Sequence, residues 1–154
     1  MSTIDIIDEV FVVADPAAVR AATCDVDRWR GWFPELALTP YKDRGALGVR
    51  WRLSGAVTGT AEVWLQEFGD GVIVHTYVRA QPSPAANRRV RDGRRLGREI
   101  KRHMTAVKDE LETGRKPGVP RVALGRRAAQ RGRLRPGRPR LRRRRWPPAA
   151  VTRP

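Results

Sequence analysis

Several things are scarce in this chain of 154 residues, and each scarcity excludes something. It has one cysteine, Cys24, so no internal disulfide can form, and a reducing compartment suits it. Cys24, His75 and His103 stand far apart, without the spacing of a zinc site, so neither a metal nor a cofactor is expected. No apolar run approaches the roughly 18 residues of a membrane span. The acidic segment Met1 to Asp8 lacks the basic-then-apolar layout of a signal peptide, and a cytoplasmic location is expected. Glycine-rich phosphate loops, nucleophile elbows and dinucleotide fingerprints are all missing.

Negative charge is wholly absent from the end of the chain. The last 36 residues, Val119 to Pro154, hold 13 of the 32 basic residues and none of the 16 acidic ones. Removing them leaves 19 basic residues against 16 acidic, a net charge of +3 for residues 1–118. The strongly basic balance therefore belongs to the tail and says little about the rest. The tail is built mainly of Arg, Pro, Gly, Ala, Val and Leu, with Arg142 to Arg145 in a row and six prolines. Such a segment buries too little apolar surface to offset its ordering entropy and is expected to be disordered. It reads as a solvated extension, as an arm making nonspecific contact with polyanions, or as a specific recognition motif. The last is disfavoured, since Trp146 is its single aromatic residue.

Residues 1–118 fit one domain. Ile4 to Val13 is rich in Ile and Val and predicts a strand. Asp15-Pro16 is an N-cap followed by proline at the first helical position, and starts a short helix to Thr23. Asp25 caps a second, Val26 to Trp32, which Phe33-Pro34 ends. Leu36 to Lys42 is a weaker strand, confined to a sheet edge by Pro40. Leu47 to Leu53, Thr58 to Glu67 and Val72 to Ala80 follow as strands, the last two joined at Gly69-Asp70-Gly71. Ala86, Val90, Gly93, Gly97, Ile100, Met104, Val107 and Leu111 then recur at spacings of four and three. They predict one continuous helix of about seven or eight turns, capped at Gly114. The two glycines on this stripe would let the helix approach the sheet. The class is α+β, a curved antiparallel sheet with a long C-terminal helix across its concave side.

Asp15-Pro16-Ala17-Ala18-Val19, Asp27-Arg28-Trp29-Arg30-Gly31-Trp32-Phe33-Pro34-Glu35-Leu36, Gly45-Ala46-Leu47-Gly48-Val49-Arg50-Trp51, Gly59-Thr60-Ala61-Glu62-Val63-Trp64-Leu65 and the stretch His103 to Leu111 carry a resemblance. Over about Ile4 to Gly118 the chain resembles the helix-grip superfamily, also called START-like or SRPBCC. It is most similar there to the actinobacterial polyketide cyclase/dehydrase and lipid-transport family. The resemblance implies a helix-grip fold with a ligand cavity between sheet and long helix, its mouth covered by Trp29, Trp32 and Phe33. It implies binding of a hydrophobic small molecule, a lipid or polyketide-like compound, and leaves catalysis open. Too few residues separate Ala80 from the long helix for the extra strand pair of many members, so a smaller sheet is expected.

Placing the first hairpin turn at Gly55-Ala56 sets Trp51 opposite Thr60 and Val49 opposite Glu62. The second turn sets Trp64 opposite His75 and Glu62 opposite Tyr77. One sheet face then collects Leu47, Val49, Trp51, Glu62, Trp64, Ile73, His75, Tyr77 and Arg79, an aromatic surface with a few polar groups, as ligand sites have. The other collects Arg50, Arg52, Ala61, Val63, Leu65, Val72, Val74 and Val78. A slip of one residue would exchange part of the two sets. With the first face concave, Val49, Trp51, Trp64, His75, Tyr77, Trp32 and Phe33 are the candidate ligand contacts. His75, Glu62, Tyr77 and Arg79 are candidates for proton transfer or carbonyl polarisation. The plainer alternatives stay open: a packed histidine, a Glu62–Arg79 ion pair, aromatic packing, or a filled second face with the first at the surface or in a homodimer contact. Two other functions remain: an interaction domain without ligand, and nucleic-acid association through the tail.

Overall fold

The computed structural model describes residues 3–116, 118 and 119. They lie in one compact unit, Met1–Arg121. The tail expected to be disordered lies, after Val119, outside the described residues.

β1 (Ile4–Val12) opens the chain. Asp15 then caps α1 (Pro16–Thr23) by accepting a hydrogen bond from the Ala17 amide at 3.1 Å. Asp25 does the same for α2 (Val26–Trp32), from the Asp27 amide at 2.9 Å. β2 (Leu36–Asp43), β3 (Gly48–Gly55), β4 (Val57–Phe68) and β5 (Gly71–Pro82) follow as an antiparallel meander. β1 returns to pair with β5, so the five-stranded order is β1-β5-β4-β3-β2. Pro40 sits on edge strand β2 at a register irregularity, where its missing N–H removes no ladder bond from the sheet interior. Gly48 is required where β3 begins: its φ is 114°, and a Cβ there would overlap the Val63 carbonyl.

The helix differs from the expectation of one continuous run. It is divided into α3 (Arg88–Arg91) and α4 (Gly93–Leu111). The cause is Asp92, whose extended backbone (ψ 94°) breaks the helix and whose carboxylate accepts from the Arg94 and Arg95 amides at 3.0 and 3.1 Å. The buried stripe of α4 is Leu96, Ile100, Met104 and Val107. Leu96, absent from the expected stripe, is fully within it. Gly93 and Gly97 face Ile4 and Ile6 of β1, but a Cβ at either would make ordinary contact at 3.7 Å. Close approach therefore does not require glycine at these two positions.

α4 also covers the free edge of β1. The ammonium groups of Lys101 and Lys108 donate to the Glu9 and Phe11 carbonyls at 2.8 and 2.6 Å. The bonds occupy acceptors that would otherwise invite another strand.

Candidate functional site

The sheet's register decides which residues share the space under α4. β4 and β5 pair as expected, with Trp64 opposite His75 and Glu62 opposite Tyr77. β3 and β4 are displaced by one residue from the expected pairing: Trp51 lies opposite Ala61, and Val49 opposite Val63. Because side chains alternate along a strand, that step carries Trp51 and Val49 to the face opposite Trp64, His75 and Tyr77. The concave face, toward α4, therefore holds Val49, Trp51, Ala61, Val63, Leu65, Val74 and Val78, all buried. The expectation that one face bears Trp51, Trp64, His75 and Tyr77 together is corrected on this point.

The concave residues join an aromatic group supplied by α2. Trp29 is 1% exposed and its ring centroid is 5.1 Å from that of Trp51, which is 0% exposed. The Trp29 indole N–H donates to the Thr23 carbonyl at 2.8 Å, which satisfies its one polar atom and lets the ring be buried. Phe33, at the C-cap of α2, is 5.8 Å from Trp29 and equally buried. Ile100 and Met104 of α4 complete the same cluster.

At its edge the group reaches half-exposed residues. Trp32 stacks on His103 of α4 with centroids 4.7 Å apart and planes 14° from parallel. Phe33 meets His103 edge-on. Burial pushes the His103 imidazole below its ordinary pKa, and nearby Arg102 acts in the same direction. The ring is therefore neutral at pH 7, able to accept one hydrogen bond and donate another. Beside it, Arg89 of α3 binds Glu35 at 2.7 Å and Glu99 at 2.8 Å. This clamps the α2–β2 junction to α4, and the guanidinium holds the Glu99 carboxyl below the usual carboxylate range. Neither Arg89, Glu99 nor His103 was a candidate from sequence. His103 falls three residues after Ile100 on the helical stripe, a signal hidden by weighing this histidine only as a metal ligand.

The convex face carries the remaining candidates. Trp64 stacks on His75 at 4.3 Å, and Tyr77 lies parallel to His75 at 6.2 Å. His75 is 6% exposed; its Nδ1 pairs with Glu9 and its Nε2 with Gln66, both at 3.0 Å. Glu62 binds Arg44 at 2.7 Å and Arg50 at 3.0 Å, and Arg79 binds Asp5 at 3.2 Å. The alternative of a Glu62–Arg79 ion pair is not what forms: the two residues bind different partners. His75, Glu62, Tyr77 and Arg79 do share a face, but one that α4 does not cover.

A shallow groove outside α1, lined by Ala17, Arg20, Ala21, Cys24 and Asp25, holds the single thiol. Burial pushes that thiol's pKa up, the opposite of an activated cysteine. Among the described residues no group of three His, Cys, Asp or Glu side chains is placed to hold a metal, and no helix is long and apolar enough to cross a membrane.

No protein-family model matches the sequence, and no curated protein does. Solved structures do match the fold. The Aha1 dimer from Colwellia psychrerythraea is 12% identical over 73% of this chain and 98% of its own, with a TM-score of 0.53. A START superfamily protein from Mycobacterium smegmatis is 12% identical over 70% and 97%, with a TM-score of 0.51. CalU16 from Micromonospora echinospora is 16% identical over 73% and 77%, with a TM-score of 0.54. The chain has the START-like, helix-grip fold: a curved antiparallel sheet closed by a long C-terminal helix.

Proposed function

We propose that the domain binds a flat hydrophobic or aromatic small molecule between the sheet and α4, entering where Trp32 meets His103. One observation carries the reading. Ring contacts run without interruption from the half-exposed Trp32–His103 stack through Trp29 to Trp51 on the concave sheet face. Aromatic surface that begins at solvent and continues inward suits an apolar guest. The guest must displace side chains that now fill the cluster, and Met104, unbranched and adaptable, is suited to yield. The likeness to a START superfamily protein supports the same reading, and the family resemblance favours a lipid or polyketide-like compound. Any proton transfer would fall to His103, whose neutral imidazole borders the mouth, rather than to the convex His75.

Native mass spectrometry of the purified chain, compared with a denatured extract, tests this directly. A copurifying organic molecule is expected, and Trp32→Ala should reduce its occupancy.

A second reading has its own observation. Trp29, Trp51, Phe33, Ile100 and Met104 are each at most 1% exposed, as in a closed core that serves an interaction domain. Failure of any apolar guest to bind would favour it. For residues 119–154 we propose a separate role in salt-dependent, sequence-blind contact with polyanions, and independence from folding of the domain. A chain ending at Gly118 should unfold as cooperatively as the whole and lose all such contact.

A further inference from the structure

Two buried polar atoms on the concave face make no hydrogen bond. Asp8 of β1 and Thr76 of β5 are direct partners in the antiparallel ladder, and both point toward α4. Thr76 is 0% exposed. The Asp8 side chain is 11% exposed, and its Oδ1 binds the Lys101 ammonium at 3.0 Å. That ammonium also donates to the Glu9 carbonyl, so the carboxylate is held in one orientation. Asp8 Oδ2 and Thr76 Oγ1 remain unpartnered. Buried polar groups are normally paired, because leaving one unpaired forfeits its hydration without return. Two of them on facing residues of adjacent strands are better explained by a shared third group than by two separate defects.

The chemistry defines that group. The carboxylate oxygen can only accept, whereas the threonine hydroxyl can donate or accept. A group bridging them must donate to Asp8 and can accept from Thr76. A hydroxyl does both. An ether or ketone oxygen cannot donate and would leave Asp8 unpaired; a hydrocarbon would serve neither. The pair is also well placed for a guest that enters along the aromatic group. Thr76 faces Val63, and the adjacent row of the sheet runs Trp51, Ala61, Val78, Ile6. From the geometry we infer that Asp8 and Thr76 anchor the hydroxyl of an apolar alcohol or phenol, whose body lies toward Trp51 and Trp29. This inference rests on the hydrophobic-ligand reading above and deepens it.

Two probes of similar size, 2-naphthol and 2-methylnaphthalene, separate the possibilities in the full chain, with Trp emission as the readout. The wild type should bind 2-naphthol about tenfold more tightly, the equivalent of one hydrogen bond to a charged group. Thr76→Val keeps the side-chain shape and should bring the ratio near one, while Thr76→Ser should preserve the preference. Thermal unfolding of Thr76→Val should be unchanged or shifted upward, since an unpaired hydroxyl is removed. Should Thr76→Val not fold, Asp8→Asn provides the second test, because its amide oxygen accepts less strongly and the ratio should fall several-fold. Equal affinity of the two probes for wild type overturns the anchor and leaves the hydrophobic-ligand reading standing. A preference that survives both Thr76→Val and Asp8→Asn also overturns it. If neither probe binds, both ideas fall together.

Discussion

The two faces of the β4–β5 pair are made from the same strands and alternate residue by residue, yet they have opposite characters. Toward α4 stand Val63, Leu65, Val74 and Val78, which are buried and apolar. Away from it stand Glu62, Trp64, His75 and Tyr77, which are ringed by Glu9, Gln66, Arg44 and Arg50. The richer chemistry lies on the face without a covering helix. Side-chain variety therefore did not identify the inner face here; covering by α4 and a mostly apolar set of side chains, interrupted by Thr76, did. An aromatic ring can be nearly buried on an outer face when its neighbours stack on it and its polar atoms are paired, as His75 is.

Removing one tryptophan from each face gives the largest test of this contrast. Trp51→Ala should destabilise the fold by about 3–5 kcal/mol, since it empties the centre of the buried aromatic group. Trp64→Ala should cost only about 1–2 kcal/mol, because the ring is partly solvated and stacks on a single neighbour. Urea denaturation measures both. Equal losses would mean that the convex face is also covered in solution.

Ile100→Ala sharpens the inner side of the comparison. Ile100 is 1% exposed in the middle of the α4 stripe, and its truncation should cost about 2–4 kcal/mol. A loss below about 0.5 kcal/mol would show that α4 does not dock on the concave face as described.

Much of the architecture was legible because its signals are local. Asp15-Pro16 and Asp25 cap their helices by bonds to amides two residues on, and Gly69-Asp70 closes a two-residue turn between Phe68 and Gly71. The β3–β4 register was harder. Gly55, with φ 87°, still pairs with Leu36 of β2, and the reversal centres on Ala56, half a residue beyond a turn centred between Gly55 and Ala56. One residue was enough to assign Trp51 and Val49 to the wrong companions. A signal was available in charge: the observed register sets Arg50 opposite Glu62, whereas the expected one sets Glu62 against Val49. The break at Asp92 was missed for a related reason. Apolar periodicity continues across α3 and α4, and only the capping chemistry of an aspartate inside the run reveals the interruption. The Trp32–His103 stack and the Asp8–Thr76 pair join residues distant in sequence, so no local pattern announces them.

A smaller effect of opposite sign is expected on α4. Gly97 lies inside the helix, and a Cβ there would meet Ile6 at an ordinary 3.7 Å. Gly97→Ala should stabilise the fold by about 0.5–1 kcal/mol, by restricting the unfolded chain and improving helix propensity. A measured loss would show that α4 sits closer to β1 than this contact allows.

The smallest effect is a pH dependence at His103. His103 has a folded pKa below its unfolded value, chiefly through burial beside Trp32 and Phe33. Protonation therefore favours the unfolded chain. The stabilising contribution is complete above the unfolded value of about 6.5 and is lost as pH falls from there through the folded one. The melting temperature should decline modestly between about pH 7 and pH 5, before the carboxylates begin to titrate. His103→Gln should flatten that part of the profile, because glutamine keeps the polar volume without the proton equilibrium. If His103→Gln leaves the slope in place, the packing between α2 and α4 does not desolvate His103 as the geometry requires.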